Sequence, residues 1–130
     1  MSWVDVFAVL VVSHLAGDYM LQTEWQASHK RGGLGRDPLR RRALASHVAS
    51  YTVAFVPALV WLWGRLHMGV IGIAALIAIT HLIQDDGRLL ARYALTFKGA
   101  DLAANPGLAA KLDQSLHVLT LFGVALLAAS

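Results

Sequence analysis

Three apolar stretches of this chain each carry a His and an Asp four residues apart: His14 with Asp18, His81 with Asp85, and Asp113 with His117. A fourth stretch carries His47 alone. In an α-helix, residues i and i+4 share a face one turn apart, so each pair forms a jaw of one nitrogen and one oxygen ligand. Ionisable groups are costly inside a membrane and gather where they pair, relay protons or bind ions. Together the imidazoles and carboxylates suit one or two divalent metals. Mixed nitrogen and oxygen donors favour zinc, with manganese or ferrous iron as alternatives, over copper(I) or calcium. A metal would let His and Asp serve alike as deprotonated ligands, where burial alone would push both towards their neutral forms.

Such residues need helices to hold them. The chain of 130 residues is 57% hydrophobic and 15% charged, well below the quarter or so typical of soluble domains. It contains no Cys, which excludes disulfides, thiolate nucleophiles and Cys-type metal sites. The apolar runs are long enough for bilayer spans of roughly 20 residues each. They predict an all-α protein, a four-transmembrane-helix bundle running up-down-up-down, with helices over about 3–21, 38–63, 68–89 and 106–129 in a single domain spanning 1–130. Asp37 is the expected N-cap of the second helix, with Pro38 in its first turn, and Asn105 that of the fourth. Pro57 is expected to kink the second helix. Residues 23–37 and 97–106 are expected as loops, Gly64–Gly69 as a tight turn, and 89–97 as an amphipathic interfacial segment. No Lys or Arg precedes Lys30, so the first run is expected to be a retained helix and not a cleaved signal.

Of the 11 Lys and Arg, only Arg65 falls on the side of the second turn; the rest lie at the opposite side. The positive-inside rule makes that basic side cytoplasmic and puts both termini outside the cytoplasm, in a cell membrane of bacterial inner-membrane type. The expected partners are the bilayer and anionic lipid head groups at the basic face. No nucleic acid partner is expected, and a homo-oligomer is compatible with the sequence.

The seven polar residues fall at one depth, near the basic side of every helix. The order of the pairs inverts where the chain direction inverts: His then Asp in the first and third helices, Asp then His in the fourth. Each carboxylate is thus nearer the basic side, and each imidazole lies about 6 Å deeper. A single His–Asp pair could be a hydrogen-bonded dyad between helices. Three pairs in register with His47 point instead to a shared metal site of His14, Asp18, His47, His81, Asp85, Asp113 and His117. Gln22, one turn past Asp18, and Gln114, beside Asp113, are candidates to orient ligands from outside. Asp86 is expected to point about 100° away from Asp85 and to be solvated, and His29 and His67 to lie in loops.

The motifs His14-Leu-Ala-Gly-Asp18-Tyr-Met-Leu21-Gln22, Ser46-His47, His81-Leu-Ile-Gln-Asp85 and Asp113-Gln114-Ser-Leu-His117 resemble those of a family of small bacterial and phage integral membrane proteins, one of the domains of unknown function. The resemblance covers nearly the whole chain. It implies a four-helix membrane domain with a shared polar site at these positions, and no particular activity. No family role carries over to the Gly/Arg-rich loop after Gln22.

The chemistry expected of the site is that of a metal-dependent membrane hydrolase, with metal-activated water acting on a lipid or other amphiphile and Asp85 or Asp113 as general base. A metal-ion or proton transporter is the alternative, but the halves of the helices beyond the site hold little that is polar. A third reading is a non-enzymatic, holin-like accessory protein whose His/Asp network is purely structural.

Overall fold

Ser2 and Asp5 form a reciprocal capping box that starts α1 (Trp3–Leu15). In the computed structural model, which describes residues 1–130, this helix continues as a wider π-helical turn over Ala16–Leu21. The chain then forms α2 (Glu24–His29), α3 (Pro38–Ala54), α4 (Val56–Leu66), α5 (Gly69–Asp86), α6 (Arg88–Lys98) and α7 (Pro106–Ala129), with no strand. Three stretches are long and apolar enough to cross a membrane: Trp3–Leu21, Gly69–Asp86 and Pro106–Ala129. α3 and α4 pass the same test as a pair, bent by 55°. The bend sits at Phe55, ahead of Pro57, which has no N–H to give and whose ring crowds the preceding turn.

The loop expected over 23–37 contains α2. Its Thr23/Gln26 capping box has the side chains and spacing that nucleate a helix, a signal the apolar pattern overshadows. Asp37 caps α3 as expected, accepting from the amides of Leu39 and Arg40. Asn105 takes the N-cap position of α7 as expected, but its side chain makes no capping bond and its amide donates to the Asp101 carbonyl. The turn between α4 and α5 is shorter than expected, and His67 takes it with a positive φ of 48°.

α1 packs on α7, α7 on α5, α5 on α3, and α3 on the π turn of α1. One half of this ring is an apolar core built from Val6 and Leu10, Tyr51 and Phe55, Ala58 and Leu62, Ile73 and Ile77, and Leu121, Val124, Ala125 and Ala128. At the far end of that half, the Arg65 guanidinium donates to the carbonyls of Met1 (3.1 Å) and Ala129 (2.7 Å), gathering both chain ends beside the α4–α5 turn. The other half holds the polar residues.

The approach of α1 to α3 depends on Gly17. A Cβ there would sit 2.6 Å from the Tyr51 ring and 3.3 Å from its backbone Cα. Gly17→Ala should therefore displace Tyr51 or part the helices and cost about 1–3 kcal/mol. Gly72, on α5, faces open space, and Gly72→Ala should be neutral or stabilising by up to about 1 kcal/mol through helix propensity. Thermal unfolding in detergent compares the two; equal midpoints would refute the close-packing role of Gly17.

Candidate metal centre

α1, α3, α5 and α7 each deliver polar side chains to one buried cluster. His47 from α3, His81 and Asp85 from α5 and Asp18 from the π turn place four ligand atoms within 4.8 Å of one another, and all four residues are buried. His47 Nε2 lies 2.8 Å from Asp85 Oδ2 and 3.2 Å from Asp18 Oδ1. His81 Nε2 lies 3.0 Å from Asp85 Oδ2, 3.5 Å from Asp18 Oδ1 and 2.9 Å from His47 Nε2. Metal–ligand bonds of about 2.0–2.1 Å in a tetrahedron give edges of about 3.3–3.4 Å. The distances here run from 2.8 to 3.5 Å, most of them a little shorter than that edge.

Protons alone serve this arrangement poorly. His47 Nε2 faces three acceptor atoms yet carries at most one hydrogen, and His81 Nε2 is in the same position. Two hydrogens cannot both occupy the 2.9 Å gap between the rings. Five buried polar atoms in the cluster make no hydrogen bond: Asp18 Oδ1, Asp85 Oδ1, His117 Nε2 and the Nδ1 atoms of His47 and His81. Each such orphan costs about 1–3 kcal/mol; an ion within the cluster could engage Asp18 Oδ1, Asp85 Oδ1 and His117 Nε2, but not the two Nδ1 atoms, which lie on the other side of rings whose Nε2 faces the carboxylates. A divalent cation among the lone pairs would turn repulsion into coordination. The donor set and its spacing fit such an ion.

His14 lies beside this set but does not join it. Gln114 directs its amide hydrogens to Asp18 Oδ2 (3.2 Å) and Asp113 Oδ2 (3.3 Å), so its oxygen faces His14 Nε2 at 2.9 Å. That fixes the His14 proton on Nε2 and leaves Nδ1 to accept from the Tyr51 hydroxyl at 2.9 Å. Both nitrogens are engaged, and His14 acts as a brace between α3 and α7. Gln114 holds two carboxylates in place, as an orienting amide should. Asp113 and His117 form a further set with Asp85.

Gln22 does not continue the helical face. The chain leaves the π turn there in an extended conformation, and Gln22 Oε1 accepts from Lys30 Nζ at 2.6 Å. Lys30 also donates to Asp85 Oδ2 at 2.7 Å, with only 12% of its side chain exposed. It is a member of the cluster that the helical periodicity does not reveal, because it reaches in from a loop. Tyr51 is another: it stacks flat on the His81 ring with centroids 3.4 Å apart. Tyr51 sits one turn beyond His47 on α3, and that i+4 spacing is the signal that could have found it.

The family description Protein of unknown function (DUF3307) matches residues 6–130. The chain belongs to the DUF3307 family. No curated protein and no solved structure matches it. For this DUF3307 chain, the site must therefore be read from its own geometry.

One expectation is overturned at Asp86, which is buried and not solvated. The Gly-rich loop folds across the end of α5. Leu34 N–H donates to Asp86 Oδ1 (2.8 Å), Gly32 N–H to the Asp86 carbonyl (2.8 Å), and Arg88 Nε to Asp86 Oδ2 (2.7 Å). With Lys30 on Asp85, these bonds strap the loop over the cluster. Gly32 allows the path with a φ of 76°. Asp86→Ala should free the strap and speed tryptic cleavage at Arg31 or Arg36 several-fold without unfolding the bundle. Unchanged cleavage would show that the loop is held by other contacts.

Proposed function

We propose that this protein is an integral membrane metalloenzyme that hydrolyses an ester or phosphoester bond in an amphiphilic substrate at the cytoplasmic face. The observation that carries the reading is the buried set of Asp18, His47, His81 and Asp85, whose ligand atoms lie within 4.8 Å of one another, with Asp18 Oδ1 among them left without a hydrogen bond. Zinc is the favoured ion for that donor set, with manganese or iron as alternatives.

The membrane part of the reading has its own support. Large apolar side chains stand on the outside of the helices, among them Val12 at 66%, Val60 at 68% and Leu119 at 66% exposure. A surface of this kind suits lipid. With α3 and α4 taken as one broken span, the chain crosses four times and both termini fall on one side. The basic residues then flank the polar half of the bundle, which the positive-inside rule assigns to the cytoplasm. A groove of about 560 Å³ between α6 and α7, lined by Leu89, Leu90, Tyr93, Phe97, Leu116 and others, with Arg92 at its edge, could seat the apolar part of a substrate.

For the reaction, a metal ion held within this cluster would supply a Lewis acid and an acidified water only at a coordination position that the protein ligands leave open. The water oxygen bonds to the carbonyl carbon or phosphorus and the bond to the leaving oxygen breaks. The proton from the water passes through a carboxylate to that leaving oxygen. Asp85 is engaged by His47, His81 and Lys30. Asp113, with 20% of its side chain exposed and only the Gln114 amide donating to it, is the carboxylate left to carry the proton.

Protein purified in detergent should contain at least one equivalent of a transition metal by elemental mass spectrometry. His81→Ala should weaken the ion by more than the about 10–100-fold typical of losing an outer partner, and should abolish hydrolysis of phospholipid vesicles. Wild-type protein that neither contains metal nor takes up zinc, manganese or iron would overturn the reading. Metal without hydrolysis of any ester or phosphoester would leave a binding protein.

A further inference from the structure

The cluster contains two sets of ligand atoms. Beside the four-ligand set, Asp85, Asp113 and His117 bring ligand atoms within 4.8 Å of one another, and Asp85 alone belongs to both sets. Its two oxygens face different ways. Oδ2 lies against His47 and His81, whereas Oδ1 lies 3.2 Å from His117 Nε2.

His117 is set up as a ligand. Its Nδ1–H donates to the Asp113 carbonyl oxygen at 2.7 Å, which leaves the lone pair of a neutral ring on Nε2. That lone pair looks towards Asp85 Oδ1. Both side chains are 1% exposed, and although the atoms are 3.2 Å apart they do not line up as a hydrogen bond. A buried imidazole lone pair facing a buried carboxylate oxygen lacks a positive charge between them.

We propose that the protein binds a second divalent ion on Asp85, Asp113 and His117, bridged to the first by the Asp85 carboxylate. This second ion carries the open coordination position. The proposal rests on the metal-centre reading above and divides its labour. Sites with four protein ligands are closed and structural, and sites with three keep a position for water or substrate. The four-ligand residues are all buried, whereas Asp113 is partly exposed, so the second set is the one that meets solvent. Ions bridged by a carboxylate sit about 3.5–4 Å apart in two-metal hydrolytic centres. Charge also balances: Asp18, Asp85 and Asp113 oppose one ion and Lys30 exactly in number of charges, and the second ion adds the surplus that attracts an anionic substrate group. Asp113 serves both as ligand and as proton carrier through its two oxygens.

The test is metal stoichiometry in detergent-solubilised protein equilibrated with zinc and freed of excess, followed by cobalt(II) replacement and azide addition. Wild-type protein should hold two equivalents. His117→Ala should hold one, and Asp113→Ala, at a partly exposed position that folding tolerates better, should also hold one. Azide should change the visible spectrum of the wild-type cobalt protein and leave that of both variants unchanged. One equivalent in wild type, or two in both variants, overturns the second site and leaves the first standing. No bound metal at all overturns both.

Discussion

The negative charge at the end of α5 is the constraint around which this bundle is organised. Asp85 and Asp86 occupy the last turn of a helix, where the macrodipole is itself negative and carboxylates are disfavoured. Both are buried, at 3% and 5% exposure. The structure answers with cations and donors from every direction. Asp86 takes Arg88 and the amide of Leu34; Asp85 takes Lys30 and faces three imidazoles. Even so, the imidazoles bring as many lone pairs as protons. A divalent ion, which these groups could hold, would supply positive charge to those lone pairs.

The apolar half of the molecule makes this possible. Leu10, Phe55, Leu62, Ile77 and Ala125 pack with almost no exposure and hold four helical columns at fixed spacing. Two departures from regular helix sit at the border between the halves. The π turn after Leu15 widens α1 where Gly17 meets Tyr51, and the bend at Phe55 begins one turn past Tyr51. π turns inside helices are often found at functional sites because they re-aim a side chain that a regular helix would carry past its target. Here the turn presents Asp18 to His47 and His81 while keeping His14 on Tyr51 and Gln114.

Much of this was legible in the residues because helical spacing is rigid. The i, i+4 pairs and their inverted order put Asp18, His47, His81, Asp85, Asp113 and His117 in one layer from spacing alone, and the three long apolar spans are equally plain. Spacing fails where the helix is not regular or where the chain is not helical. Gln22 left the face because the π turn ends there. His14 shares the face and the depth of a ligand, but its role was decided by a Gln and a Tyr on other helices. Lys30 and the burial of Asp86 belong to a loop whose path has no period. A rotation of 100° from Asp85 takes Asp86 out of the bundle core but not out of reach of a strap lying across the helix end.

The same distribution of polarity weighs on what kind of protein this is. An ion pathway needs polar groups along the whole span. Past His81 and His117 the interior is closed by Ile73, Ile77, Leu121, Val124 and Phe55. Of the polar side chains beyond the cluster, Thr120 is joined to Gln84, and Thr52 and Thr80 donate to carbonyls of their own helices. No polar path therefore leads from the cluster through the apolar half, and its partly exposed member is Asp113. A purely structural network would gain nothing from leaving lone pairs opposed and five buried atoms without partners, since matched apolar side chains would hold the helices at least as well. A buried set of His and Asp side chains at ligand spacing, floored by a rigid apolar core, could hold a metal ion.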